Sequence, residues 1–370
     1  MISILLEDKS IKNFEKALNS LQKTAKAIII FTCDDNDFTK EALDPLLTLA
    51  KVPIIGGIFP SIVYKNKQYD VGTILLGLSQ DFSATVIHDI SSETVFDDVI
   101  EEKIGLLDES TKTMFLFFDA ASSNIDSYIQ GLFNNYGLSI NYLGGSAGGK
   151  DFQKKPVIIT NEGLLEDAAI FAITDAKSTI GVKHGWEPLN STLLHVTKAS
   201  GNIIYEIDYK PAFETYKTIV ESQSSRDFSK EDFFDISKSF PLGINRLSGD
   251  PVVRVPSHTD GTFLACTGDV LENSYIYILH ANNKKLIEAA GEASLLSGDN
   301  DYQTSFKLYI GCRARLLTLQ ETFHKELEAI YADDELLVGA LSLGEIANNQ
   351  DHYLELHNST VVVARIEDAK

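Results

Sequence analysis

The chain has 370 residues, of which 44% are apolar and 23% are charged, a composition that excludes a disordered chain and supports two hydrophobic cores. Its 53 acidic side chains outnumber 32 Lys and Arg side chains, and the formal net charge is -21. A field of that sign repels nucleic-acid phosphates and anionic lipids, so we expect neither nucleic acid nor a membrane as a partner.

The cysteines and the N-terminus indicate a reducing compartment. Cys33, Cys266 and Cys312 are too far apart in sequence for a local metal site and too few for a disulfide framework. The N-terminus has no basic start before its short apolar run, so we expect no signal peptide. No segment approaches the roughly 18 uninterrupted apolar residues of a membrane span. We therefore predict a cytoplasmic protein.

A strand–helix–strand–strand pattern occurs three times. The first copy begins with the β-branched run Ala27–Cys33, which is typical of a strand buried on both faces. Leucines at helical spacing follow, and strand-like runs at 52–57 and 71–78 complete the copy. The second copy has a strand at 115–119, a helix for which Ser123 and Asp126 predict a capping box, a glycine-rich segment and a strand at 168–173.

The third copy begins with a strand at 306–310 that ends in Gly311-Cys312-Arg313. A helix and strand-like runs at 336–345 and 360–364 follow. Between the second and third copies, short runs within 180–297 are typical of antiparallel hairpins, and Pro211 predicts the start of a helix. The repeats predict an α/β (mixed α+β) fold of two domains with mixed sheets, and we place the boundary between residues 1–180 and 181–370.

The glycine-rich segment from Gly144 to Lys150 has the spacing of two catalytic motifs. As a phosphate loop it lacks the Ser or Thr after Lys150, where Asp151 stands, and no helix is predicted to follow. As a nucleophile elbow it would make Ser146 the nucleophile of a serine hydrolase, but that motif also requires a following helix. We favour a glycine turn after a strand, where the backbone bends or approaches a ligand closely.

Cys312-Arg313 lies where a predicted strand meets a helix, the position at which open α/β units place ligand groups. Arg313 offers a planar fork to a carboxylate. Alternatively, Cys312 is a small buried thiol and Arg313 pairs with an acid such as Glu345. The Glu345 carboxylate, after Gly344, would then pair with Arg313 or receive a ligand amine.

The eight histidines are scattered, and none forms a His-x3-His or His-x-His pair. We expect each of them to be a surface or hydrogen-bonded core residue rather than a metal ligand. Trp186 is expected to be a packing residue.

Short motifs follow one another through the second half of the chain: Gly185-Trp186-Glu187-Pro188-Leu189, 196–202, Tyr205-Glu206-Ile207-Asp208, Pro211-Ala212-Phe213, Phe240-Pro241-Leu242-Gly243, Val253-Arg254, Cys312-Arg313, Gly344-Glu345 and His357-Asn358-Ser359-Thr360. The first half has Gly56-Gly57 and Gly144-Gly145 with their flanking strands. In this order, the motifs of the second half resemble the C-terminal domain of the FIST family, a family of sensory proteins, and the glycine pairs of the first half resemble its N-terminal domain.

The resemblance implies a non-enzymatic sensory protein of intracellular signal transduction that binds an amino acid or similar small metabolite. Its signal is expected to leave through a separate signalling protein, such as a histidine kinase, or through an oligomer interface. A haem-binding nitric-oxide sensor that regulates a histidine kinase or cyclic-nucleotide enzyme is the alternative, with His184, His195 or His258 as axial ligand.

We expect the ligand at the strand ends and no catalytic residue, no metal and no cofactor other than this alternative haem. The expected ligand-binding residues are Cys312, Arg313, Gly344, Glu345, Gly144, Gly145, Ser146 and Arg254.

Overall fold

Three copies of one unit form the core of the computed structural model, which describes residues 1–92, 94–247, 249–298, 305–332, 335–348 and 353–368. Each copy has a strand, a helix, a second strand, a further helical segment, a third strand, a hairpin and a last strand. The first copy comprises β1 (Ile2–Leu6), α1 (Ile11–Leu21), β2 (Ala27–Cys33), α2 (Lys40–Leu47), β3 (Ile54–Phe59), β4 (Ser61–Tyr64), β5 (Lys67–Tyr69) and β6 (Thr73–Leu78).

The second copy has the same order. It comprises β7 (Ser83–His88), α3 (Phe96–Ile104), β8 (Thr113–Asp119), α4 (Ile125–Tyr136), β9 (Asn141–Ala147), β10 (Ile158–Thr160), β11 (Gly163–Leu165) and β12 (Ala168–Thr174). The predicted capping box of Ser123 and Asp126 is wrong. Asn124 is the N-cap of α4, with no side-chain cap bond. The Asp126 carboxylate faces Arg254 and accepts a hydrogen bond from the backbone N–H of Asp269.

The third copy is interrupted after its first strand, β13 (Ser178–Lys183). We call residues 187–280, which follow that strand, the insert. It comprises β14 (Glu187–Pro188), β15 (Leu194–Ser200), β16 (Ile203–Ile207), β17 (Lys210–Pro211), α5 (Ala212–Gln223), α6 (Phe233–Ser237), β18 (Leu242–Ile244), β19 (Val252–Arg254), β20 (Pro256–His258), β21 (Leu264–Cys266) and β22 (Tyr275–His280).

The insert is one antiparallel nine-stranded sheet with its own apolar cluster. The predicted hairpins and the helix after Pro211 are therefore confirmed. The third copy then resumes with α7 (Asn283–Leu296), β23 (Ser305–Cys312), α8 (Arg313–Leu319), α9 (Phe323–Ile330), β24 (Leu337–Ser342), β25 (Glu345–Ala347), β26 (Glu355–His357) and β27 (Val361–Glu367).

The three copies exchange hairpins in a cycle. The six-stranded sheets run β1-β6-β2-β3-β10-β11, β7-β12-β8-β9-β25-β26 and β13-β27-β23-β24-β4-β5. Each sheet thus ends in a hairpin donated by another copy. The central pairs β2–β3, β8–β9 and β23–β24 are parallel, and the other pairs are antiparallel, so the predicted mixed sheets are confirmed.

The central parallel pairs approach closely at one glycine each. A Cβ on Gly56, Gly144 or Gly339 would lie 1.9, 1.7 or 1.7 Å from a carbonyl oxygen of the neighbouring strand. Gly144 and Gly145 lie inside β9, so the predicted glycine turn is wrong at these two positions. The close approach at Gly144 is to the Leu116 backbone of β8.

One buried apolar cluster draws on all three sheets. It includes Phe31, Phe117 and Ile310 from the three central strands, and Phe31 and Phe117 make an edge contact at 5.8 Å between ring centroids. The boundary at 180/181, which falls within β13, stays a prediction. None of the helices in the described part of the chain is long and apolar enough to cross a bilayer.

Candidate functional site

A cavity of about 580 Å³ opens where the insert meets the three-copy core. Its wall comes from three segments: the end of β13 with His184, the loop between β18 and β19, and β26 with its neighbours Tyr353 and Thr360. A volume of this size suits a small molecule. We call this cavity the seam pocket.

Two ion pairs cross the seam pocket, and each joins the insert to the core. Lys183 Nζ lies 2.8 Å from Asp250 Oδ2, and Arg246 pairs with Glu355. Burial tends to raise the pKa of Asp250, but the hydrogen bond and the charge of Lys183 hold that pKa below its usual value, and His184 adds to this effect when its ring is protonated. The seam pocket therefore presents two positive and two negative groups.

His184 contributes a neutral hydrogen-bond donor to the wall. Burial lowers the pKa of this ring to about 4. Its Nδ1 accepts a hydrogen bond from the backbone N–H of Trp186 at 2.9 Å, which places the proton of the neutral ring on Nε2. Within the described residues no acceptor meets the full hydrogen-bond geometry at this buried Nε2, although the Pro251 backbone interacts with the ring and raises its pKa slightly against the effect of burial.

His357 contributes the complementary group. Its Nε2 lies 3.2 Å from the Ala347 carbonyl oxygen, which can only accept, so Nε2 donates and Nδ1 keeps its lone pair. Burial lowers the pKa of this ring to about 4 as well. The wall therefore carries a neutral donor ring and a neutral acceptor ring beside the two ion pairs.

Six of the eight predicted residues converge beside the seam pocket, but none of them lines it. Ser146 N donates to Gly344 O at 2.7 Å, and Cys312 N donates to Thr360 O at 3.0 Å. The six form a buried group behind Thr360 and His357, and their contact with a ligand stays a prediction. In β-sheet register, Gly144 lies opposite Ile346 and Gly145 opposite Glu345, which lies opposite His357.

Glu345 is fully buried. It accepts hydrogen bonds from Ser342 Oγ at 2.6 Å and from Thr360 N at 3.2 Å. Burial raises its pKa to about 8, although both hydrogen bonds lower it. Burial also holds the pKa of Cys312 well above its usual value, so this residue is a thiol rather than a thiolate nucleophile.

Arg313 lies apart from this group, and the alternative in which it pairs with Glu345 is wrong. It donates to the backbone oxygen of Lys150, and its guanidinium carbon lies 5.9 Å from the Phe152 ring centroid. Because α8 begins at Arg313, the chain turns away from the buried end of β23 at this residue. A ligand role for Arg313 stays a prediction outside the seam pocket.

Arg254 connects the insert to the second copy. Its buried side chain donates to the Leu356 backbone oxygen at 2.9 Å and to the Asp269 backbone oxygen at 3.1 Å, and lies 3.5 Å from Asp126. It therefore supports β26 from behind the pocket wall.

The geometry does not support the two catalytic motifs. Ser146 is a buried residue of β9 rather than a residue at a strand-to-helix turn. Lys150 lies in the segment between β9 and β10, which contains no helix, whereas a phosphate loop opens a helix.

Sequence reasoning missed most of the pocket wall. His184 and His357 were only two of eight scattered histidines, and Arg246, Asp250 and Glu355 carry no motif. Their proximity depends on where the insert contacts the core, and local patterns do not encode such contacts. The one available signal was that His184 directly precedes one motif of the family resemblance and His357 begins another.

A metal centre or haem has little support in this wall. No group of three His, Cys, Asp or Glu side chains suited to a metal ion occurs within the described ranges. His184 presents a protonated Nε2, whereas an axial ligand needs a lone pair there. His195 stacks on Tyr275, His258 is an exposed residue of β20, and neither lines the pocket.

Comparison with known proteins agrees with the sequence resemblance. Residues 26–210 match the FIST N domain and residues 212–348 match the FIST C domain. An uncharacterized protein of Methanocaldococcus jannaschii is 26% identical over 190 residues, which are 47% of this chain and 36% of that protein. The match thus spans little more than a third of that relative's length.

Proposed function

The chain belongs to the FIST family, whose domains are associated with sensory signalling and small-ligand binding, and we propose that its seam pocket binds a small zwitterionic metabolite such as an amino acid. In this proposal the protein is a sensor and not an enzyme. A separate signalling protein reads the bound state.

The main support for this proposal is the arrangement of charged side chains in the seam pocket. Arg246 and Lys183 can receive a ligand carboxylate, while Glu355 and Asp250 can receive its ammonium group. The His184 Nε2–H and the His357 Nδ1 lone pair can complete the hydrogen bonds. A ligand with only a carboxylate or only an ammonium group would bind one side chain of each ion pair and leave the other side chain without a ligand group to pair with.

The same two ion pairs can couple ligand binding to a change in the contact between the insert and the core. Both pairs join the insert to the core, so a ligand that takes over their charges changes the contact between these two bodies. A ligand with different affinities for the two arrangements shifts their populations. A partner that contacts both the insert and the core can then detect this change.

A thermal-shift panel of amino acids tests this function. We expect at least one amino acid to raise the melting temperature by about 3 °C or more at about 100 times its Kd. Analogues of that amino acid without the carboxylate or the ammonium group should bind at least about tenfold more weakly, as should the amino acid itself to Glu355→Gln.

The matched control is Glu162→Gln, which removes an exposed carboxylate that is paired with His88 and does not line the pocket. It should bind as the wild type does. A panel without a binder, or a binder that Glu355→Gln retains at full affinity, contradicts the proposal.

A haem sensor is the second candidate, but no contact in the pocket favours it over a zwitterion. The expected axial ligand would have to be His184, and its Nδ1 is already the acceptor of the Trp186 N–H bond. A haem titration in which the Soret band shifts for the wild type and not for His184→Ala would reverse this ranking.

A further inference from the structure

The three copies of the unit provide an internal comparison for Glu345. In each sheet, the donated hairpin pairs with the third strand of the receiving copy. One step beyond the closely approached glycine, the opposed pairs are Gly57 with Ile158, Gly145 with Glu345, and Ala340 with Ile62. Glu345 is thus the equivalent of Ile62 and Ile158, which are both fully buried.

The surroundings of these residues support the equivalence. Cys33 ends β2 as Cys312 ends β23, and each thiol lies against the corresponding hairpin residue, Ile62 or Glu345. The same position in the fold therefore accepts isoleucine twice and holds a carboxyl group once.

Packing alone does not account for a carboxyl group at this position. Transfer of a carboxyl group from water into a protein interior is unfavourable unless its oxygens are paired. The buried guanidinium nearby, Arg315, already forms a 2.8 Å ion pair with Glu326. Glu345 therefore has hydrogen bonds from Ser342 and Thr360, but no cation of its own among the residues that the structure describes.

The hydrogen bond to Thr360 connects Glu345 to the seam pocket. Thr360 lines that pocket and ends the turn 358–360. Ser359, in the middle of this turn, has φ of 50°, a left-handed conformation that is strained for a residue other than glycine. Such a turn needs fixed contacts, and the Glu345 carboxyl group accepts a hydrogen bond from the backbone N–H at its end.

The turn 358–360 is also connected to His184, the hydrogen-bond donor of the pocket wall. Trp186 Nε1 donates to Ser359 O at 2.9 Å, and the backbone N–H of Trp186 donates to His184 Nδ1. Arg315 donates to the backbone oxygens of both His184 and Ser359. A displacement of the turn therefore reaches His184 through Trp186.

We infer that Glu345 is a positioning residue of the seam pocket, which holds the turn 358–360 and thereby sets the places of Thr360 and His184 in the wall. Glu345 itself does not contact the ligand in this account. The inference rests on the proposed function only for the ligand, because the position of the turn can be measured without one.

Trp186 is the only tryptophan of the chain, so its fluorescence reports on this turn directly. In Glu345→Gln the amide oxygen still accepts from Thr360 N, so acrylamide quenching of Trp186 should match the wild type. In Glu345→Ile, which carries the residue of the other two copies, quenching should rise by about twofold or more because the turn loses its acceptor.

Ligand binding gives the second measurement, with the strongest amino acid of the panel as the probe. Glu345→Gln should keep wild-type affinity within about threefold, and Glu345→Ile should bind at least about tenfold more weakly. If near-ultraviolet circular dichroism shows that Glu345→Ile is unfolded, Glu345→Met, of similar length, takes its place.

The two measurements distinguish a failure of the positioning role from a failure of the proposed function. Wild-type quenching in Glu345→Ile overturns the positioning role, whatever the panel shows. Absence of any binder with raised quenching in Glu345→Ile supports the positioning role and overturns the proposed function alone.

Discussion

At the scale of single residues, Glu345 makes stability depend on pH. Burial raises its pKa to about 8 in the folded protein, whereas a glutamate in an unfolded chain titrates near about 4.3. Between these two values the folded state binds a proton that the unfolded state has released. The Glu345 contribution to the free energy of unfolding is thus fully present below about pH 4 and is lost as the pH rises through about 8.

Glu345→Gln should remove this dependence. We expect its free energy of unfolding, relative to the wild type, to increase between pH 5 and pH 8 by on the order of 3 kcal/mol. Urea unfolding at several pH values measures the difference, with Glu162→Gln as the exposed control. Parallel pH curves for Glu345→Gln and the wild type would show that Glu345 is ionised in the folded protein.

Short motifs identify the buried group of residues behind the seam pocket, but not the residues of its wall. Cys312, Glu345 and Ser146 were predicted together from strand ends and glycines, and the structure brings them together. Their side chains are buried, because the donated hairpin covers the end of β9. The pocket lies outside this buried group, and it is lined by charged residues that belong to no recognisable sequence motif.

At the scale of elements, the glycines of the central strand pairs are required by close backbone contact. A Cβ on Gly144 would lie 1.7 Å from the Leu116 oxygen, and neither strand can move without disturbing its other neighbour. Gly144→Ala should therefore destabilise the protein by about 3 kcal/mol or more, or prevent folding.

Gly291→Ala is the matched control for this change. Gly291 lies inside α7, and a Cβ there would lie 3.6 Å from its nearest neighbour, at ordinary contact distance. The substitution should raise the free energy of unfolding by about 0.5 to 1 kcal/mol, because alanine favours a helix. Equal melting temperatures for the two variants would contradict the close contact at Gly144.

Elements with strong local patterns were predicted correctly, and those defined by distant pairing were not. The β-branched runs of β2, β8 and β23 identify buried strands without further information. The destinations of β4–β5, β10–β11 and β25–β26 are different sheets from those of their own copies. No local pattern specifies such an exchange, because each hairpin is compatible with several sheet edges.

Across the molecule, the core and the insert differ in how they are held together. The core is tied together by exchanged hairpins and one shared apolar cluster, so its three copies are expected to behave as one body. The insert has its own apolar cluster, and it meets the core both through Val253, Tyr277 and Leu279, which pack in a cluster with core side chains, and through ion pairs. These ion pairs include Lys183–Asp250, Arg246–Glu355 and Arg254–Asp126. Ion pairs of this kind can exchange partners with a charged ligand, whereas a packed apolar interface cannot.

Hydrogen–deuterium exchange tests this account most directly, with and without the amino acid that gives the largest thermal shift. We expect ligand to slow exchange in three segments that are distant in sequence: the end of β13, the loop between β18 and β19, and residues 355–360. Slowed exchange confined to other segments, such as the one that contains Lys150 and Arg313, would contradict the claim that the ligand binds where the insert meets the core.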